Sequence, residues 1–330
     1  MSNEKKQSLS LYKLLNHNKS EAEELEFQKA TAPDAPRNFF LFFVILKRRI
    51  YNLIHVNLLI LICNFPIFFL LLAVGGNFSD VATTPQSPLF PNTYGALQLA
   101  ESTPYSAVML GIFGTQSTVY VNNTTTYILY AIGALVLITF GLVNCGVAYV
   151  TRNMTKGESV SVTSEFFSAI KTNWRQGIIL GIFDVAFMAI TLHNILFFSV
   201  GAVTGGFTAD MFFFVMLFIT FFYLFARMYL YPIAVTFNLS VYKIIKNSFI
   251  FSLVGLKRNI VALVAILLIL ILNYTVFVAF APLGFILPMF FTLGVIYFIM
   301  TYAVWPNIDK IMIKPYYNAD GTPKEGTFEE

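Results

Sequence analysis

The chain has 330 residues, 57% hydrophobic and 12% charged, with a mean hydropathy of +0.71. Soluble domains carry about a quarter charged residues, so this composition excludes an ordinary soluble fold and reads as a polytopic membrane protein. The formal charge of +4 does not point to nucleic acid, because the Lys and Arg residues sit in short clusters beside apolar runs, where the positive-inside rule accounts for them.

Residues 1–36 are polar, with Glu21, Glu23, Glu24 and Glu26 followed by Ala32-Pro33-Asp34-Ala35-Pro36, and read as a mobile cytosolic tail rather than a cleavable signal peptide. Arg37 to Arg49 is apolar for only about ten residues, half of what a crossing needs, and is predicted to lie in the membrane interface. The first span is predicted at 51–75, with a kink at Pro66. Residues 76–125 form a long loop that contains no Lys or Arg, which puts it outside. Its middle, about 94–113, is apolar enough for a short helix on the outer face, and its Asn77-Phe-Ser79 and Asn122-Asn-Thr124 match glycosylation sequons.

The second span is predicted at 126–150. Ser164 to Arg175 then places Phe166, Phe167, Ile170 and Trp174 at helical spacing among Lys171 and Arg175, an amphipathic segment that runs into a third span at 177–202. Gly205 and Gly206 make the outer turn before a fourth span at 208–237. An inner segment, 238–258, repeats the amphipathic syntax and leads to a fifth span at 259–281. A turn at Pro282-Leu283-Gly284 and a sixth span at 285–304 follow, and 306–330 is a cytosolic tail. The membrane domain is thus 37–305.

The fold class is all-α with six transmembrane helices and both termini cytosolic in the cell membrane. Of the 21 Lys and Arg residues, 20 fall in segments read as inner, Arg227 falls within a span, and none falls outside. Ile45-Leu46-Lys47-Arg48-Arg49, Ala169-Ile170-Lys171-Thr172-Asn173 and Gly255-Leu256-Lys257-Arg258-Asn259 each precede an outgoing helix. This suggests three repeated hairpins, each led by an interfacial amphipathic helix; convergent placement of basic residues at the interface explains the same pattern.

Charges within spans are costly in lipid and face an interior or a partner. Two lie well inside their spans, Asp184 and Arg227, at depths that consecutive antiparallel helices bring together, so the expectation is an intramembrane ion pair serving as a structural clamp or, in the sharper reading, a substrate or proton site. Asn57, Asn64, Asn144 and Asn273 lie in spans and either bond between helices or line a solute path. His55 and His193 sit near opposite ends of their spans, and Cys63 and Cys145 read as small apolar-core residues, so no metal cluster or disulfide is expected. No phosphate-binding Gly-Lys-Ser/Thr loop, nucleophile elbow or His-Glu-x-x-His appears, so the expectation is a protein without enzymatic activity and without cofactors.

Asn57-Leu58-Leu59 with Asn64-Phe65-Pro66, Tyr149-Val150-Thr151-Arg152-Asn153 with Lys156-Gly157-Glu158, and Glu165-Phe166-Phe167 with Lys171-Thr172-Asn173-Trp174-Arg175-Gln176-Gly177 resemble the YesL-like family of bacterial membrane proteins. Tyr229-Leu230-Tyr231-Pro232, Lys246-Asn247-Ser248 and Pro315-Tyr316-Tyr317 extend the resemblance over roughly 40–315, and the long loop 76–125 departs from shorter family members. The resemblance implies a multi-pass bacterial membrane protein of unknown activity whose genes often neighbour carbohydrate uptake systems. The expected function is therefore an accessory or permease-like component tied to carbohydrate uptake, with Glu165, Lys171, Trp174 and Arg175 as a docking surface for a transport-system subunit on the cytosolic side. The alternatives are a stand-alone transporter or channel, and a membrane sensor or assembly factor presenting the outer loop. The expected partners are the lipid bilayer and that subunit, with no nucleic acid.

Overall fold

The computed structural model describes Phe27, Ala30, Thr31 and residues 37–85, 116–204 and 206–317. Among these residues the elements are α1 (Phe39–Arg48), α2 (Ile50–Cys63), α3 (Pro66–Val74), β1 (Asp80–Pro85), β2 (Gln116–Val121), α4 (Thr124–Gly133), α5 (Val136–Lys156), α6 (Val162–Thr204), α7 (Phe207–Ala234), α8 (Val241–Val254), α9 (Leu256–Ala279), α10 (Ala281–Leu287) and α11 (Leu293–Ile308). Two π-turns, Pro288–Thr292 and Asp309–Ile313, precede and follow α11. The protein is an all-α polytopic membrane protein: five helical stretches are long and apolar enough to cross a membrane, or six if α2 and α3, separated by a short break, form one span. Their outward faces are apolar too, with Val261, Val264, Leu268, Ile271 and Leu272 all exposed on α9. A helix that is hydrophobic all round belongs in lipid.

The chain divides into two compact units, Met1–Asn64 with Leu137–Glu330, and Phe65–Val136. In the smaller unit α3 and α4 pack closely at Gly133, where a Cβ would come within 2.8 Å of the Leu70 side chain. The ends of the long loop, read from sequence as irregular, instead form an antiparallel ribbon in which Asp80 pairs with Val121 and Pro85 with Gln116. Asn123 ends the ribbon and caps α4, its side chain accepting from the Thr126 N–H at 3.0 Å and donating to Asp80 Oδ1 at 3.3 Å. The short helix expected at 94–113 lies outside the described residues.

In the larger unit each crossing helix from the basic end is preceded by a shorter one: α1 before α2, the first part of α6 before the rest, and α8 before α9. α6 is bent rather than divided, because Asn173 takes φ −109°, ψ 17° and its side-chain amide donates to the Ala169 carbonyl at 2.9 Å. Gly206, at φ 68°, ψ −167°, adopts a backbone open only to glycine and lets the chain turn from α6 into α7. α5 and α6 approach to backbone contact, since a Cβ on Gly141 would sit 1.9 Å from the Gly177 carbonyl oxygen.

Several sequence-derived boundaries need correction. Pro282-Leu283-Gly284 is not a turn: the reversal occurs at Phe280, in extended backbone, and Pro282 lies in the first turn of α10, where its missing N–H costs nothing. The last helix continues beyond the predicted span end at 304, through Pro306 to Ile308, with Trp305 and Ile308 buried. Phe27, in the segment read as a mobile tail, is instead buried under the Arg48 guanidinium, 4.2 Å from its ring centroid. The break expected at Pro66 is present, with Asn64 and Phe65 between the helices and Pro66 opening α3.

Candidate functional site

Two polar regions stand out in the larger unit. The first is buried in the membrane-spanning part and is centred on Asp184. Gly177, Gly181 and Asp184 share one face of α6, the face held against α5 by the glycine contact, and Asp184 is 0% exposed. Arg227 Nε donates to both of its oxygens, at 3.0 and 2.8 Å. Tyr223 and Tyr231 donate their hydroxyls at 2.7 and 2.9 Å, one to each oxygen. Tyr223, Arg227 and Tyr231 are four residues apart, so one stripe of α7 grips the carboxylate.

Arg227 is 18% exposed and lies against the Phe140 ring, with Nη2 3.5 Å from Asn144 Oδ1. Asn144 also accepts from the Tyr297 hydroxyl of α11 and returns its amide to the Phe140 carbonyl at 2.7 Å. The cluster therefore ties α5, α6, α7 and α11 together. Its acidic group is paired and fully supplied with donors, as a charge in a low-dielectric interior requires.

The second region is a cleft of about 690 Å³ at the basic end, beside the bend in α6. Tyr149 of α5, Ser168, Thr172, Trp174, Arg175 and Gln176 of α6 and the 234–238 stretch after α7 line it. Its walls are fixed by hydrogen bonds. Arg152 stacks 4.4 Å from the Tyr149 ring centroid and donates to the Val235 carbonyl at 3.1 Å and Thr236 Oγ1 at 3.0 Å. Asn153 Oδ1 accepts from Arg152 at 3.0 and 3.1 Å, while its amide donates to Glu165 Oε2 at 2.8 Å. Glu165 Oε1 accepts the Ser161 N–H at 3.0 Å, as in a capping box, and Gln176 holds the Leu239 carbonyl at 2.8 Å. Inside this frame Trp174 is 49% exposed and the Arg175 guanidinium lies 5.1 Å from its ring centroid.

The predicted site residues thus separate. Asp184, Arg227 and Asn144 meet in one cluster. Asn57 and Asn273 instead serve the π-turn: Asn57 donates to the Pro288 and Met289 carbonyls at 3.0 and 2.6 Å and accepts from the Gly294 N–H at 2.9 Å, and Asn273 accepts from Thr292 at 2.8 Å. Asn64, at the end of α2, accepts from Thr139 at 3.4 Å. The four span asparagines do not line a common path. Lys171, Trp174 and Arg175 are exposed on α6, but Glu165 is turned inward as a cap.

His55 contacts Thr163 at 3.1 Å, and His193 lies beside Phe197. Arg49 reaches from the α1–α2 junction to the Gly157 and Glu158 carbonyls at 3.3 and 2.7 Å, and burial lowers the pKa of its guanidinium. Among the described residues no group of three metal-ligating side chains occurs.

Sequence reasoning missed Tyr223, Tyr231 and Tyr297, and it missed the Arg152–Asn153–Glu165 frame. The first two were detectable as the four-residue spacing around Arg227. Tyr297 and the frame join segments far apart in sequence and leave no local signal.

No curated protein and no solved structure matches this chain. Residues 119–195, which hold Asn144, the Arg152–Asn153–Glu165 frame, Trp174, Arg175 and Asp184, match the family model described as "Protein of unknown function, DUF624".

Proposed function

We propose that the protein is a non-enzymatic accessory component of a membrane transport system, with its basic end in the cytosol and its docking surface around the α6 bend. One contrast carries this reading. The intramembrane charges are closed off and supplied with partners, whereas a polar, basic concavity with an exposed Trp174–Arg175 pair stays open at the basic end. Exposed Tyr242, Lys243 and Lys246 of α8 extend the basic, aromatic surface. Aromatic and Arg side chains of this kind anchor protein interfaces. The positive-inside rule supports the orientation, and the resemblance to the YesL-like family supports a carbohydrate-uptake context and the bacterial cell membrane.

The test is a mild-detergent pull-down of the tagged protein from its own membranes, with the copurifying proteins identified, repeated with Lys171, Trp174 and Arg175 changed to Ala. A stoichiometric transport subunit that is lost in the variant is the expected result. Recovery of the protein alone in both cases, together with solute flux in liposomes that depends on Asp184 or Arg227, would replace this reading with a stand-alone transporter.

A further inference from the structure

The cleft has a chemistry more specific than a docking surface needs. None of the residues lining it is a carboxylate, and the lining includes side chains that carry donors: Arg175, Trp174, Ser168, Thr172 and Asn238. A volume of about 690 Å³ is in the range of small-ligand sites, and the lining selects an anion.

The surroundings narrow the anion further. Arg175 shares a face of α6 with Ile179 and Ile182, four and seven residues on, and both isoleucines are exposed, at 53% and 46%. They lie in the apolar stretch Val162–Ser199 that is long enough to cross the membrane. An anionic cleft ligand therefore meets, directly along the helix, an apolar stripe facing lipid. An acidic protein segment has no use for that stripe, and free phosphate does not reach it. A phospholipid has both parts in the right order.

The geometry points to a selective site for an anionic phospholipid, with its headgroup in the cleft against Arg175, Trp174 and Asn238, where no carboxylate accepts the ammonium of a zwitterionic lipid, and an acyl chain along Ile179 and Ile182. Arg152 and Gln176 are positioning residues: they hold the Val235–Leu239 wall and do not themselves carry the ligand. The site shares Trp174 and Arg175 with the docking surface proposed above, but its test uses lipid alone and stands or falls without a protein partner.

The chain's two tryptophans make the site readable. Trp305 is buried at 6% exposure, so the fluorescence of the full chain minus that of W174F reports Trp174. The full chain is reconstituted in vesicles of phosphatidylcholine with dibrominated phosphatidylglycerol or dibrominated phosphatidylcholine at equal mole fraction, and quenching of the Trp174 signal is compared. The charged lipid is expected to occupy the site about fivefold more strongly, the scale of one interfacial basic residue, and R175Q should bring the two lipids level. K310Q, which removes an exposed basic residue outside the cleft, should leave the preference intact.

Equal quenching by both lipids in the unaltered chain overturns the assignment, as does an equal loss in R175Q and K310Q, which would mean only general surface charge. If inorganic phosphate or a polyglutamate peptide shifts the Trp174 signal in pure phosphatidylcholine vesicles, while phosphatidylglycerol shows no preference, the occupant is a soluble anion or an acidic protein segment and the lipid assignment fails.

Discussion

The Asp184 cluster and the α6 cleft are built from similar materials, Arg, Tyr and Asn side chains with backbone carbonyls, and both draw on α5, α6 and α7, yet they end in opposite states. In the cluster every oxygen of the one acid meets a donor, and Asp184 is fully buried. In the cleft the polar groups of Arg152, Asn153, Glu165 and Gln176 bond to one another and to the chain, while Trp174 and Arg175 are left facing outward. The difference follows from position. A charge deep among apolar helices has no water to fall back on and is kept only when paired, whereas one at the membrane edge can remain available. Available polar groups, rather than deeply placed ones, are where binding is to be sought in this protein.

The strongest way to break the comparison is to unpair the cluster. D184A leaves Arg227, largely enclosed among the helices, without its counter-ion and should destabilise the fold by about 3–5 kcal/mol, read as a large loss of folded protein in detergent unfolding series. R227A should be similarly damaging, and the D184A/R227A double variant should be less damaging than the two losses added together, because each single change strands the other charge. If the double change is fully additive, the pair is not a clamp. A smaller cut is Y231F, which removes one charge-assisted hydrogen bond and should cost about 1.5–3 kcal/mol without creating solute flux in liposomes. Flux appearing in Y231F would mean that the cluster gates a path, and the comparison would invert.

The sequence made the cluster partly legible because lipid makes charges conspicuous: Asp184 and Arg227 were the two charges well inside spans, and their depths matched. The cleft was less legible. Its lining comes from α5, α6 and the linker after α7, and only the α6 part carries a recognisable amphipathic pattern. Glu165 shows the limit of that pattern, since it sits on the amphipathic segment with Lys171 and Arg175 but turns back to cap the helix and hold Asn153. The all-α polytopic class, with five or six stretches long enough to cross, was legible because apolar runs are long. The π-turn Pro288–Thr292 was not, because what stabilises it is Asn57, more than two hundred residues away in the chain. The ribbon Asp80–Pro85 with Gln116–Val121 was likewise hidden, its strands being separated by a long insertion.

The cleft frame sharpens the comparison from the other side. N153A removes the link between Arg152 and Glu165 and should cost about 1–2 kcal/mol, less than unpairing the cluster, because the groups it strands lie nearer water. Its larger effect should fall on ligand affinity, because Arg152 would lose a fixed orientation and with it the Val235–Thr236 wall. A stability loss as great as that of D184A would mean the cleft is as structural as the cluster.

R175Q is the smallest perturbation and the most informative. Arg175 is exposed and bonded chiefly through its face to Trp174, so its replacement should change stability by no more than about 0.5 kcal/mol, measured by the same unfolding series. Binding should nevertheless fall, because the guanidinium is the charged donor inside a cleft without a carboxylate. The two readouts must therefore separate: near-parental unfolding with lost anionic-lipid preference assigns Arg175 to binding, whereas lost stability with retained preference makes it one more member of the scaffold. The Asp184 cluster supplies the control, since its variants should move both readouts together.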